Sequence, residues 1–130
     1  MTDFPNEIDY YSNGQPYRIV WYKNSVPHRE DDLPAVIHYF RNGHLSNEAW
    51  YQNGNKHRDG DLPAVIEYYE NGQPLKENWY QNGKLHREGD LPAVIEYYDN
   101  GRPYMKSWYQ NGISYREGNL LFQKLNHYMI

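Results

Sequence analysis

Residues 79–98 read WYQNGKLHREGDLPAVIEYY, and residues 50–69 read WYQNGNKHRDGDLPAVIEYY. The step between the two is 29, and it runs through most of the chain. Tryptophan recurs at Trp21, Trp50, Trp79 and Trp108. Asn-Gly pairs begin at Asn13, Asn42, Asn71 and Asn100, and a second set begins at Asn24 (followed by Ser25), Asn53, Asn82 and Asn111. Arg29, Arg58, Arg87 and Arg116 keep the same phase, as do Pro5, Pro34, Pro63 and Pro92. Five residue types held in register through four cycles mark an array of repeats, in which neighbours bury what one unit alone leaves exposed.

Cut at the acid before each proline, the units are 3–31, 32–60, 61–89 and 90–118. A fifth cycle would place Pro-Ala at 121 and 122, where the chain has Leu121 and Phe122. Residues 119–130 therefore read as a separate capping element. Leu121, Leu125, Tyr128 and Met129 fall at helical spacing with Asn119 as N-cap, and a final edge strand is the alternative.

Composition narrows the function. Aromatics are plentiful, with 15 Tyr and 4 Trp, but aliphatics are sparse and the mean hydropathy is -1.08. Regular aromatic spacing distinguishes this hydrophilic chain from a disordered one. A net charge of -4 and a pI near 5.8 argue against nucleic acid, which needs a basic surface, and against a polybasic membrane patch. With no cysteine, disulfides and thiolate chemistry are excluded. The start, MTDFPNEIDYY, is unlike a secretory signal, and the expected location is cytoplasmic.

One unit reads as a β-hairpin. In AVIEYYENGQPLKENWYQ, residues 64–81, an Asn-Gly pair separates two β-prone runs. A two-residue type I′ turn at Asn71-Gly72 makes pairing partners sum to 143. Glu67 then faces Lys76, Ile66 faces Glu77, Val65 faces Asn78, Tyr68 faces Leu75 and Ala64 faces Trp79. The same rule puts Asp9 opposite Arg18 and Ile8 opposite Ile19, and sets Ala35 and Ala93 against Trp50 and Trp108. Asn42-Gly43 and Asn100-Gly101 are the equivalent turns. The face with Ala, Ile, Tyr and Trp is the more apolar and is expected to point inward, with Glu67, Lys76, Asn78 and Tyr80 outward. A third short strand around KLHRE is compatible with a tight turn at Asn82-Gly83. The expectation is an all-β fold: an elongated, twisted antiparallel meander of four 29-residue hairpins, closed by a short C-terminal helix or strand.

The string YENGQPLKENWYQNGKLHREG, residues 69–89, resembles a MORN repeat: a Tyr, an Asn/Asp-Gly turn, a Glu-x-Trp strand, then Asn-Gly-Lys. MORN units are hairpins laid side by side into a single-layer sheet. Two features depart from that pattern. The period is longer by six residues, and Arg29, Arg58, Arg87 and Arg116 occupy the place of a usual glycine. In this the chain is similar to the variant subtype of large DNA viruses and some bacteria. The resemblance covers residues 3–118 and implies a scaffold, interaction or membrane-apposed role, with the host cytoplasm as the location if the chain is viral.

Candidate chemistry comes next. His28, His57 and His86 form a ladder, but successive rungs lie about 10–14 Å apart in a sheet. Zinc needs its ligands about 2 Å away. The reading is a surface histidine followed by an arginine that pairs the neighbouring acids Glu30 and Asp32, Asp59 and Asp61, or Glu88 and Asp90. Those acids recur in every unit, as structural turns do and a single hydrolytic site does not. No catalytic, metal or cofactor site is expected. Tyr22, Tyr51, Tyr80 and Tyr109, with Tyr11, Phe40, Tyr69 and Tyr98, are the candidate partner-binding residues on the outward face, because tyrosine is enriched at protein interfaces. The function expected is a non-enzymatic scaffold for a protein partner. A lipid-associated scaffold and a small carbohydrate-binding or hydrolytic protein are the alternatives, and the open sheet edges offer a route to homo-oligomers.

Overall fold

The computed structural model describes residues 3–119, all of them strand, turn or irregular segment. Nine strands form one open antiparallel sheet in the order β1 (Glu7–Tyr10), β2 (Pro16–Val20), β5 (Val36–Tyr39), β6 (Leu45–Ala49), β9 (Val65–Tyr68), β10 (Pro74–Asn78), β13 (Val94–Tyr97), β14 (Pro103–Gln110) and β15 (Ile113–Asn119). Every neighbour in this sheet is a neighbour in sequence order, so the sheet is a meander. Three two-stranded ribbons interrupt it: β3 (Tyr22–Lys23) with β4 (Val26–Pro27), β7 (Tyr51–Gln52) with β8 (Asn55–Lys56), and β11 (Tyr80–Gln81) with β12 (Lys84–Leu85). Each of the first three units thus carries four strands, two in the sheet and two in a ribbon. In the fourth unit β14 and β15 stay in the main sheet. The expected third strand of the unit is one half of a ribbon. Asn119 ends β15, and the remainder of the expected cap lies outside the described residues.

The register is the one that opposite charges dictate, with one displacement. Glu67 faces Lys76, Ile66 faces Glu77, Val65 faces Asn78, Asp9 faces Arg18 and Ile8 faces Ile19. Tyr68, however, faces Pro74 and not Leu75, because the turn is not the two-residue kind. Tyr69 N–H donates to the Gln73 carbonyl (2.9 Å), Gly72 N–H donates to the Tyr69 carbonyl (3.0 Å), and Asn71 Oδ1 accepts from Gln73 N–H (2.9 Å). That is a three-residue loop with only Gly72 in the left-handed region, at φ 89°. A bulge at Leu75 then adds back the residue that the longer loop removed, so the predicted pairing resumes at Glu67 and Lys76. The type I′ turns sit at the other Asn-Gly set: Asn53-Gly54, Asn82-Gly83 and Asn111-Gly112 have positive φ at both positions.

Ladder pairing draws two rows straight across the strands. Val20, Val36, Ala49, Val65, Asn78, Val94 and Ser107 stand opposite one another in turn. On the other face run Ile8, Ile19, Ile37, Glu48, Ile66, Glu77, Ile95 and Lys106. The expected division into one inward and one outward face does not hold, because Val20, Val65 and Val94 are buried on the face assigned to solvent. With a single layer of sheet, no second layer stands ready to cover either side. Each face is covered by side chains of the sheet itself.

Alanines Ala35, Ala64 and Ala93 are fully buried, and all four tryptophans are buried too. The ladder of each hairpin ends one residue short of the expected Ala–Trp pair, and the N–H groups of Ala35, Ala64 and Ala93 donate to the carbonyls of Ala49, Asn78 and Ser107. Trp21, Trp50 and Trp79 leave the ladder where the chain passes into the ribbon, and their backbone N–H groups donate to Ala35, Ala64 and Ala93 of the next unit at 2.8, 2.7 and 2.7 Å.

Candidate functional site

Each tryptophan anchors a cluster that repeats with the sequence. The indole N–H of Trp50 donates to the Asp32 carbonyl at 3.1 Å, and Trp79 does the same to Asp61 at 3.2 Å. Over the ring lies the guanidinium of the arginine eight residues later: Arg29 over Trp21 at 3.5 Å, Arg58 over Trp50 at 3.7 Å and Arg87 over Trp79 at 3.9 Å. Planar and cationic, a guanidinium suits the negative face of an indole and closes it from water. The stack is fixed by two further bonds. Arg58 Nε donates to Asp32 (2.9 Å) and Arg87 Nε to Asp61 (2.8 Å), while one terminal nitrogen of each reaches the carbonyl of Pro63 or Pro92 across the Asp-Leu-Pro turn. Asp32 and Asp61 hold positive φ of 54° and 55°, a conformation aspartate tolerates better than most residues. Arg87 holds the Asp61 carboxyl below its usual range.

The arginines therefore pair one unit back from the acids expected: Arg29 with Asp3, Arg58 with Asp32, Arg87 with Asp61. The carboxylate beside each arginine belongs to the histidine. His28 Nε2 bonds Glu30 at 2.8 Å, His57 bonds Asp59 at 2.9 Å and His86 bonds Glu88 at 2.8 Å. On the opposite side of the ring Nδ1 accepts the backbone N–H of Asn53, Asn82 or Asn111 from the type I′ turn of the next unit, at 2.9–3.0 Å. An acceptor at Nδ1 and a carboxylate at Nε2 assign the neutral tautomer with the proton on Nε2. His28 and His86 are buried, so the expected surface histidine is instead a cap on its neighbour's turn. The bond to His28 holds the Glu30 carboxyl down. Among the described residues no group of three His, Asp or Glu side chains converges as a metal site would.

The candidate tyrosines form two rows. Tyr22, Tyr51, Tyr80 and Tyr109 follow the tryptophans and lie on the valine face, since the Tyr22 hydroxyl donates to Glu7 (2.9 Å) at the head of the valine row. Tyr22 and Arg18 together hold the Glu7 carboxyl down. Tyr51 and Tyr80 are half-buried, and burial pushes both phenols up, with Tyr51 and Tyr109 adding to the effect at Tyr80. In the second row Tyr11 and Tyr69 donate to the carbonyls of Tyr39 and Tyr97, 28 residues on, at 2.7 Å. Phe40 has no hydroxyl for this bond, and Tyr98 is exposed and packs on Tyr104 with ring centroids 4.8 Å apart. On the isoleucine face burial pushes the Tyr68 and Tyr97 phenols up, and the bonds they donate to Glu48 and Glu77 add to it.

Beside the tryptophans lie three clefts in the same 29-residue phase, at Trp21, Trp50 and Trp79, of about 400, 460 and 270 Å³. Each is lined by the stacked Trp and Arg, the His, and three or four acids. Four exposed apolar side chains recur in one phase, Phe4, Leu33, Leu62 and Leu91; Phe4 lines the first cleft and Leu62 the second. Neither the clefts nor the leucines were anticipated. The signal was present in the Asp-Leu-Pro triplets, where a leucine recurs in a polar turn. No protein-family model, curated protein or solved structure matches this chain.

Proposed function

We propose that the chain is a non-enzymatic, MORN-like repeat scaffold whose valine–tyrosine sheet face docks another protein. The observation that carries this reading is the state of Tyr51 and Tyr80. Their rings are half-buried in a ladder that crosses unit boundaries, yet their hydroxyls have no hydrogen-bond partner among the described residues. An aromatic body fixed in place with its polar tip unengaged is a low-entropy contact surface, which is why tyrosine is enriched at interfaces. The polar constellations elsewhere support the non-enzymatic part: each His, Arg and Asp of the tryptophan clusters is bonded to backbone or to a structural partner, and each recurs in three units. A catalytic centre concentrates such groups once.

The test compares the wild-type chain with Tyr51→Phe/Tyr80→Phe and Tyr51→Ala/Tyr80→Ala as bait in affinity capture, with circular dichroism confirming the sheet in each. A protein retained by wild type and lost by the alanine variant supports the reading. Capture unaffected by both double variants removes this face as the docking site. A hydrolytic activity abolished by one substitution would remove the non-enzymatic assignment.

A further inference from the structure

The three clefts are sections of one groove. Glu30 and Asp31 line both the first and the second, and Asp59 and Gly60 line both the second and the third. We infer that this groove is a docking site for a basic polyproline-II segment of a partner protein, with a Lys or Arg at every third position. The inference is independent of the tyrosine face, since the second and third clefts contain no tyrosine.

Spacing sets the conformation of the occupant. Successive clefts are one unit apart, which is two strands of the main sheet, or about 9.6 Å. A polyproline-II chain rises about 3.1 Å per residue and completes a turn in three, so every third side chain points the same way at intervals of about 9.3 Å. The mismatch across three clefts is therefore only about 0.6 Å. An extended β-chain covers a similar distance in three residues, but its alternating side chains would point the third one away. Only the three-fold helix keeps side chain and cleft in phase.

Charge sets the side chain. The groove is lined by seven acids against four bases. Arg29, Arg58 and Arg87 pair with Asp3, Asp32 and Asp61, which leaves Glu30, Asp31, Asp59 and Glu88 against Lys23. The acids of the ridges, Asp59 and Glu88, keep side-chain exposures of 89% and 87% even while bonded to histidine, so each has lone pairs facing solvent. Leu62 lines the middle cleft and Phe4 the first. Lysine or arginine suits this pairing, because its methylene stem lies along the apolar rung while its head reaches the carboxylates.

The test is isothermal titration calorimetry of the full chain with three synthetic peptides of equal charge, in which three arginines are separated by one, two or three prolines. We expect the two-proline spacing to bind at least tenfold more tightly than the others and to weaken as salt rises. Phe4→Ser/Leu62→Ser, which changes exposed side chains of the groove and none of the stacked Trp, Arg or His residues, is expected to lower that affinity several-fold with an unchanged circular dichroism spectrum. Tyr51→Ala/Tyr80→Ala is expected to leave it intact, which separates this groove from the tyrosine face. Equal affinity for all three spacings would overturn the inference in favour of unspecific charge attraction, and absence of binding to any of them would overturn it outright.

Discussion

The inner units and the end units of this chain are built to one plan but differ where a neighbour would sit. In the second, third and fourth units Gln52, Gln81 and Gln110 donate a side-chain N–H to the carbonyl of Arg29, Arg58 or Arg87 in the preceding unit, at 2.8–2.9 Å. The first unit has Lys23 at that position. Gly54, Gly83 and Gly112 donate their N–H to Pro27, Lys56 and Leu85 of the preceding ribbon, and a Cβ on Gly54 would stand 3.1 Å from Val26 Cβ. The first unit has Ser25 there, held at φ 66°. At the other end Tyr115 replaces the histidine that elsewhere caps the following turn, and the Arg116–Asp90 separation widens to 3.9 Å. Between identical units, a residue is conserved in type where it touches the adjacent copy. Departures from the repeat therefore map contacts as sharply as the repeat does.

Substitutions can widen or close this contrast. The largest effect is expected for Trp79→Ala, which removes an indole packed under Arg87 and should cost about 3–5 kcal/mol in urea unfolding. An equal loss for Trp108→Ala, whose arginine is held less closely, would show that the stack matters more than its clasp. His57→Ala removes the acceptor of the exposed Asn82 N–H and should cost about 0.5–1.5 kcal/mol, whereas Tyr115→His should change stability by less than about 0.5 kcal/mol. Thermal melts of the two variants side by side decide this. Gly54→Ala forces a Cβ into the left-handed region against Val26 and should cost about 1–2 kcal/mol, while the converse Ser25→Gly should stabilise by up to about 1 kcal/mol. A neutral Gly54→Ala would mean the ribbons slide freely. The smallest effect is acidic. Asp61, Glu30 and Glu7 have carboxyls lowered by their partners, so their contribution is present above the ordinary carboxyl range of about 3.9–4.3 and is lost as pH falls below it through the depressed values. Stability measured from pH 6 to pH 2 should fall within that lower window, and Asp61→Asn should blunt the fall.

Much of the fold was legible because charge and turn chemistry agree. Asp9 with Arg18 and Glu67 with Lys76 fix a register that only one alignment satisfies. The turn type was not legible from Asn-Gly alone, since both sets carry the same dipeptide. Proline does not decide it either: the same loop and bulge form where Pro16, Pro74 and Pro103 stand beside the bulge and where Leu45 takes that place. The inward and outward faces were misread because alternation assumes a second layer, and Val65 is covered by the sheet's own side chains. The clasp of arginine on tryptophan escaped because its two halves lie eight residues apart with a ribbon between them, and the aspartate completing it lies 26 residues before the arginine.

No hydrogen bond described here joins residues more than 28 apart in sequence. A nascent chain could therefore complete each rung while the following one is still being synthesised, with no early segment waiting for a distant late one. Under tension from its two ends the same geometry yields stepwise. Each hairpin would peel from the edge in turn, releasing a fixed length of 29 residues per event, so a force trace would count the copies.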